Sequence, residues 1–123
     1  MGKIQQRFSI RARIKSIKTA INGIMIVVKD EHNAWLHIIA TLVIIIVTSR
    51  LNITTIEASL LIFATGLVWT SEAFNSAIEA LADEVSGSYS TGIKKTKDIA
   101  AGAVLISSLT ALAIGLIILL PKF

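Results

Sequence analysis

Three stretches without a single Asp, Glu, Lys or Arg dominate this chain: His32 to Ser49 with 18 residues, Ala58 to Ser71 with 14, and Ile99 to Pro121 with 23. A helix rises about 1.5 Å per residue, so roughly 20 apolar residues cross the hydrocarbon of a bilayer. The first and third stretches are of that order. The second reaches it only if its helix continues through Glu72 to about Ala82. With 123 residues, 54% of them hydrophobic, and a mean hydropathy of +0.75, the chain is too apolar for a small domain with a solvated surface. The expectation is an all-α integral-membrane protein with one domain over 1–123. It has three transmembrane helices, over 34–49, 58–82 and 99–121, preceded by an amphipathic surface helix within 1–30.

That first helix follows from a stripe. Ile10, Ile14, Ile17, Ile21, Ile24 and Val28 recur at steps of three and four, while Arg11, Arg13, Lys15 and Lys18 lie mostly off it. A basic amphipathic helix ahead of a span reads as one lying in the interface plane. The alternative is a cytosolic helix packed on the spans. Seven Lys and Arg (Lys3, Arg7, Arg11, Arg13, Lys15, Lys18, Lys29) precede the first span, and Lys94, Lys95 and Lys97 lie between the second and third. Only Arg50 and Lys122 fall elsewhere, so the balance is ten against two. The excess of positive charge on the inner side puts the amino terminus and the 83–98 loop in the cytoplasm. Anionic inner-leaflet lipids account for the net charge of +4 without nucleic acid. The first thirty residues contain no unbroken apolar core or small-residue cleavage site, so no secretory signal is expected. No cysteine is present, which excludes disulfides and thiolate metal sites.

The second stretch ends in acids. Glu72, Asn75, Glu79 and Asp83 lie three, seven and eleven residues apart counted from Glu72. At 3.6 residues per turn they share one helix face within roughly 80°, over about 16 Å of axis. If the span enters at Ala58, its cytoplasmic boundary falls near residue 78. Glu72 then lies roughly 9 Å inside that boundary, with Glu79 and Asp83 at or beyond it. An ionisable group at such depth is a functional candidate, here a general base. The alternative is a Glu that pairs with a neighbouring helix to hold an oligomer together. Glu31 lies at the cytoplasmic end of the first span, near Glu79 and Asp83 if spans one and two are antiparallel. Carboxylates from two helices beside water suit Mg²⁺, which favours one or two carboxylates plus phosphate oxygens. Acids at helix starts also serve simply to offset the helix dipole. Phosphoryl transfer needs cations on phosphates, a metal and a positioned nucleophile, and the basic loop with the acidic face could supply them.

Other signals are weaker. Gly87 to Lys94 imitates a phosphate-binding loop but fails, because the lysine comes one residue late and no strand precedes it. His32 and His37 are five apart and do not share a helix face in the manner of an i, i+4 metal pair. Trp35 reads as an interfacial anchor and Trp69 as packing.

Glu72-Ala-Phe-Asn75-Ser-Ala-Ile-Glu79 followed by Asp83, together with Lys97-Asp98-Ile-Ala-Ala-Gly-Ala-Val-Leu105, resembles the signature of the small prokaryotic diacylglycerol kinases, which include the undecaprenol kinases. The resemblance covers nearly all of the chain, including Glu31 and Asn33 ahead of the first span. It implies a three-span homotrimer with active sites shared between subunits, transferring the ATP γ-phosphate to a lipid hydroxyl at the cytoplasmic surface. It further implies that Glu72 is the base with Asn75 beside it. Glu31 and Glu79 would be the Mg²⁺ ligands. Lys97 and Asp98 would be a nucleotide-site pair with Lys97 on phosphates, and Asp83 an active-site acid. Where enteric diacylglycerol kinases have a Glu, this chain has His37, which resembles the undecaprenol-kinase branch. Diacylglycerol is the acceptor the family name implies; undecaprenol is the rival.

Two other classes compete. A small proton- or ion-conducting oligomer could line its pathway with Glu72 and Asn75, but it has no use for Lys97, Asp98 or Glu31. A structural adaptor needs none of these residues.

Overall fold

The computed structural model describes residues 7–88 and 90–123. Lys3 of the basic segment and Tyr89 of the polar loop lie outside them. The described residues form four helices, α1 (Ile10–Asp30), α2 (Ala34–Arg50), α3 (Thr55–Val85) and α4 (Thr91–Leu119), closed by a single 3-10 turn at Leu120–Lys122; no strand occurs among them.

Short hydroxyl residues start three of the helices. Ser9 Oγ accepts from the Ala12 N–H at 3.4 Å and Ser90 Oγ from the Ile93 N–H at 3.1 Å. At α3 the cap is reciprocal: Thr54 Oγ1 accepts from the Glu57 N–H, and Glu57 Oε2 accepts from the Thr54 N–H at 2.9 Å. Each such cap satisfies amides that no helical carbonyl can reach and contributes about 1 kcal/mol. The start of α2 has no side-chain cap. The chain instead turns by 103° between α1 and α2, with the Ala34 N–H donating to the Glu31 carbonyl at 3.2 Å.

Within the helices Thr41, Thr48, Thr65, Thr70 and Thr110 donate to the carbonyl four residues earlier at 2.6 to 2.8 Å. A hydroxyl satisfied by its own backbone can face hydrocarbon without an unpaired polar group. The main packing is α3 against α4. Leu61, Ala64, Val68 and Ala82 are buried on α3, and Ala100, Ser107 and Ile118 on α4. Small side chains at this seam let the two backbones approach closely.

The rest of the apolar surface is uncovered. The chain exposes 9823 Å², against about 6,400 Å² for a folded soluble monomer of 13.2 kDa. Ile39, Leu42 and Ile46 of α2, Ile62, Phe63 and Phe74 of α3, and Leu109 and Ile117 of α4 all face outward. Apolar helices this bare are compatible with a membrane. Among the described residues, Thr91–Lys122 alone is long and apolar enough to cross one by length and composition, and α1 with α2 passes the same test only as a bent pair. The Ile10, Ile14, Ile17, Ile21 and Ile24 stripe of α1 is also exposed, and only Val27 of that helix is buried.

Helix ends differ from the boundaries expected from charge. The helix expected over 58–82 is α3, Thr55–Val85, and the next, α4, starts at Thr91, so 83–85 and 91–98 of the expected loop are helical. Loss of apolar character marks where hydrocarbon ends. It does not stop a helix that has Ser90 as its cap and Lys94 and Asp98 paired one turn apart at 2.5 Å.

Candidate active site

The shared face of α3 is present, and its burial is graded. Glu72 is completely buried and Asn75 is 6% exposed, whereas Glu79 is half-buried and Asp83 exposed. His37 of α2 covers Glu72 in the middle of α3, whereas Asp83, near its carboxyl end, meets only Lys97 of α4.

Glu72 has a partner that the sequence did not single out. His37 Nε2 of α2 lies 3.1 Å from Glu72 Oε2. With Glu72 ionised, the imidazole N–H donates and the carboxylate accepts. Ser76 Oγ donates to the Glu72 backbone carbonyl at 3.0 Å. The other carboxylate oxygen, Glu72 Oε1, is buried with no hydrogen-bond partner, and so is Asn75 Oδ1. Two orphaned buried oxygens one turn apart are costly unless something donates to them.

His37 is itself held from two sides. Its ring meets the Trp69 ring edge-on, with centroids 5.8 Å apart. Trp69 Nε1–H donates to Thr41 Oγ1 at 3.0 Å, and Thr41 Oγ1–H donates to the His37 carbonyl at 2.6 Å. Trp69 therefore does more than fill space, and Thr41 joins the site although it was not among the residues expected there. The available signal was position: Thr41 is one turn after His37, on the same face of a helix otherwise almost wholly apolar. Beside this cluster an apolar cleft of about 500 Å³ runs between α2, α3 and α4, from His37 and Trp69 past Ile44 and Leu112 to Leu119 and Phe123.

Toward the carboxyl end of α3 the groups become wet. Lys97 Nζ lies 2.6 Å from Asp83 Oδ1. The Asp83 hydrogen bond, aided by the Glu79 charge, holds the Lys97 ammonium above its ordinary value of 10.5. Glu79, Asp83 and Lys97 are thus brought together. Asp98 turns instead to Lys94, so Lys97 and Asp98 do not pair with each other. Glu31 is half-buried at the α1–α2 bend, its N–H donating to the Val27 carbonyl at 3.2 Å. Among the described residues no group of three or more His, Cys, Asp or Glu is placed to hold a metal ion. Glu31 and Glu79 offer oxygen donors only. Two carboxylates fit a hard cation that completes its shell with water and phosphate, and do not fit a zinc-type centre.

The arrangement combines a buried carboxylate with one oxygen free, a hydrocarbon-lined cleft beside it, and a mixed acid–base cluster on the same helix nearer water. Comparison with known proteins agrees with that chemistry. Residues 18–119 match the family model described as prokaryotic diacylglycerol kinase. The chain is 30% identical over 122 residues to an undecaprenol kinase of Bacillus subtilis (strain 168), covering 99% of both chains. It is 32% identical over 107 residues to a diacylglycerol kinase of Synechocystis sp., covering 86% of this chain and 61% of the other.

Proposed function

The chain belongs to the prokaryotic diacylglycerol kinase family and is a lipid kinase with ATP as co-substrate, and on that premise we propose how its residues divide the work. Glu72 is the general base and Asn75 its neighbour at the acceptor hydroxyl. Glu31 and Glu79 are the Mg²⁺ ligands. Asp83, Lys97 and Asp98 complete the nucleotide site with Glu31 and Glu79, Lys97 lying on the phosphates.

The carrying observation is the Glu72 carboxylate, fully buried, with Oε2 on His37 and Oε1 unpartnered. A lipid hydroxyl arriving from the apolar cleft donates to Oε1. As its oxygen forms a bond to the γ-phosphorus, its proton passes to Glu72 and the bond from that phosphorus to the ADP oxygen breaks. Proton removal of this kind contributes about 10²- to 10⁴-fold. Lys97 holds the phosphates, and the wet end of α3 keeps the polar nucleotide out of hydrocarbon. Mg²⁺, when held by Glu31 and Glu79, would supply charge neutralisation on the phosphate oxygens.

The acceptor in this reading is undecaprenol. Support comes from the end-to-end match with a protein of that activity and from His37 at a position where the enteric enzymes differ. Diacylglycerol is the second reading, favoured by the family description and by the Synechocystis relative. The reading includes three spans, with α1 in the interface of the cytoplasmic membrane and the 83–98 segment inside; the ten-against-two basic residues support the orientation and the exposed isoleucine stripe the place of α1. A homotrimer sharing sites between subunits would cover part of the bare apolar surface. The ion-conducting alternative has no support from the family match.

The test is radiolabelled phosphate transfer from ATP by detergent-purified protein, with undecaprenol and diacylglycerol in competition. Preferential labelling of undecaprenol is expected. Preferential labelling of diacylglycerol overturns the acceptor, and labelling of neither overturns the reading.

A further inference from the structure

We propose that His37 is a positioning residue for the phosphoryl transfer, fixing the Glu72 carboxylate so that Oε1, and not Oε2, receives the lipid hydroxyl's proton. The inference rests on the reading of Glu72 as base.

A glutamate side chain has three rotatable bonds, and a base must present one oxygen in one direction. Here Oε2 is anchored by a single contact, 3.1 Å from His37 Nε2, and Oε1 is the oxygen left unmet. Burial makes the anchor strong, because no water competes for Oε2 on a residue with no exposed surface.

His37 is suited to fix a direction because it is not free to move. The Trp69 ring lies edge-on against its imidazole. Thr41 grips its backbone carbonyl and is in turn gripped by Trp69. The anchor therefore runs from α3 through Trp69 to α2 and back through His37 to Glu72, closing a loop between two residues one helical turn apart on α3. A histidine that only satisfied its own polarity would not need a Trp–Thr brace. The same brace borders the apolar cleft, which His37, Thr41 and Trp69 all line, so the residues that orient the carboxylate also border the space assigned to the acceptor's hydrocarbon chain.

The experiment compares His37→Leu, His37→Gln and Glu72→Gln in detergent-purified full-length protein, with assembly checked by sizing. Leu removes the donor; Gln restores an amide N–H within reach. The expected result for His37→Leu is a kcat lower by about 10- to 100-fold, the size of a lost hydrogen bond to a charged group, with the KM for ATP unchanged. His37→Gln should recover most of that loss. Adding His37→Leu to Glu72→Gln should cost nothing further, since there is no carboxylate left to orient. Full kcat in assembled His37→Leu, or equal loss in Leu and Gln variants, overturns the positioning role while Glu72→Gln stays impaired. Full activity of Glu72→Gln overturns instead the reading beneath it.

Discussion

Lys97 and Asp83 meet at 2.6 Å although they are fourteen residues apart and lie on different helices. Their contact ties the first turns of α4 to the last turns of α3. It also places a cation beside Glu79, whose charge Lys97 senses. Asp83 pairs with this lysine; a nucleotide phosphate would compete with Asp83 for the same ammonium.

Replacing Lys97 by Met should therefore act on nucleotide affinity. The expected outcome is a rise of about tenfold in the KM for ATP, the loss of one charge-assisted contact, with the lipid KM unchanged. Steady-state kinetics with each substrate varied in turn checks this; an unchanged ATP KM removes Lys97 from the phosphates.

The same lysine has a stability signature. Its pKa is raised above 10.5 by Asp83 first and by Glu79 in addition. A raised lysine contributes stability that is complete below 10.5 and lost as pH rises through the folded value. Thermal unfolding in detergent from pH 9 to about 11.5 should show a steeper alkaline decline for the natural protein than for Lys97→Met. Parallel curves would mean that the pair contributes nothing.

At the other end of the bundle, Lys122 Nζ donates to the Asn52 carbonyl at 2.8 Å and lies 3.1 Å from Glu57. Glu57 is held below its ordinary value of 4.5, first by the Thr54 N–H and then by Lys122. A depressed carboxyl contributes stability present above 4.5 and lost as pH falls through the folded value. Glu57→Gln should lower the unfolding temperature near neutrality and flatten the acid limb, so that the two proteins converge as pH falls. An unaltered acid limb would show that the cap carries no linkage.

Glu79→Ala should raise the Mg²⁺ concentration needed for half-maximal transfer about tenfold or more, or eliminate activity, as loss of one of two carboxylate ligands requires. Unchanged metal dependence counts against its ligand role.

The acid face of α3 was legible in the sequence because a single helix obeys one period: residues three and four apart must share a side, and distance along the axis sets depth. The all-helical fold was legible for the same reason. What the period cannot give is how one helix is rotated against another. His37 was visible as a polar residue inside an apolar stretch, but its contact with Glu72 depends on how α2 sits on α3. Trp69, read as packing, carries a hydrogen bond to Thr41 for that same reason. The pairing of Lys97 with Asp83, and of Asp98 with Lys94, was likewise hidden, since adjacency in sequence set Lys97 beside Asp98 while the helix set Lys94 one turn before it.

Glu72→Gln most directly tests whether the buried carboxylate takes the acceptor's proton. Phosphate transfer is measured in detergent–lipid micelles with saturating ATP, Mg²⁺ and lipid alcohol, alongside sizing of the assembly. The expected result is a kcat at least about 100-fold lower in a variant that assembles like the natural protein; turnover at the natural rate would contradict it.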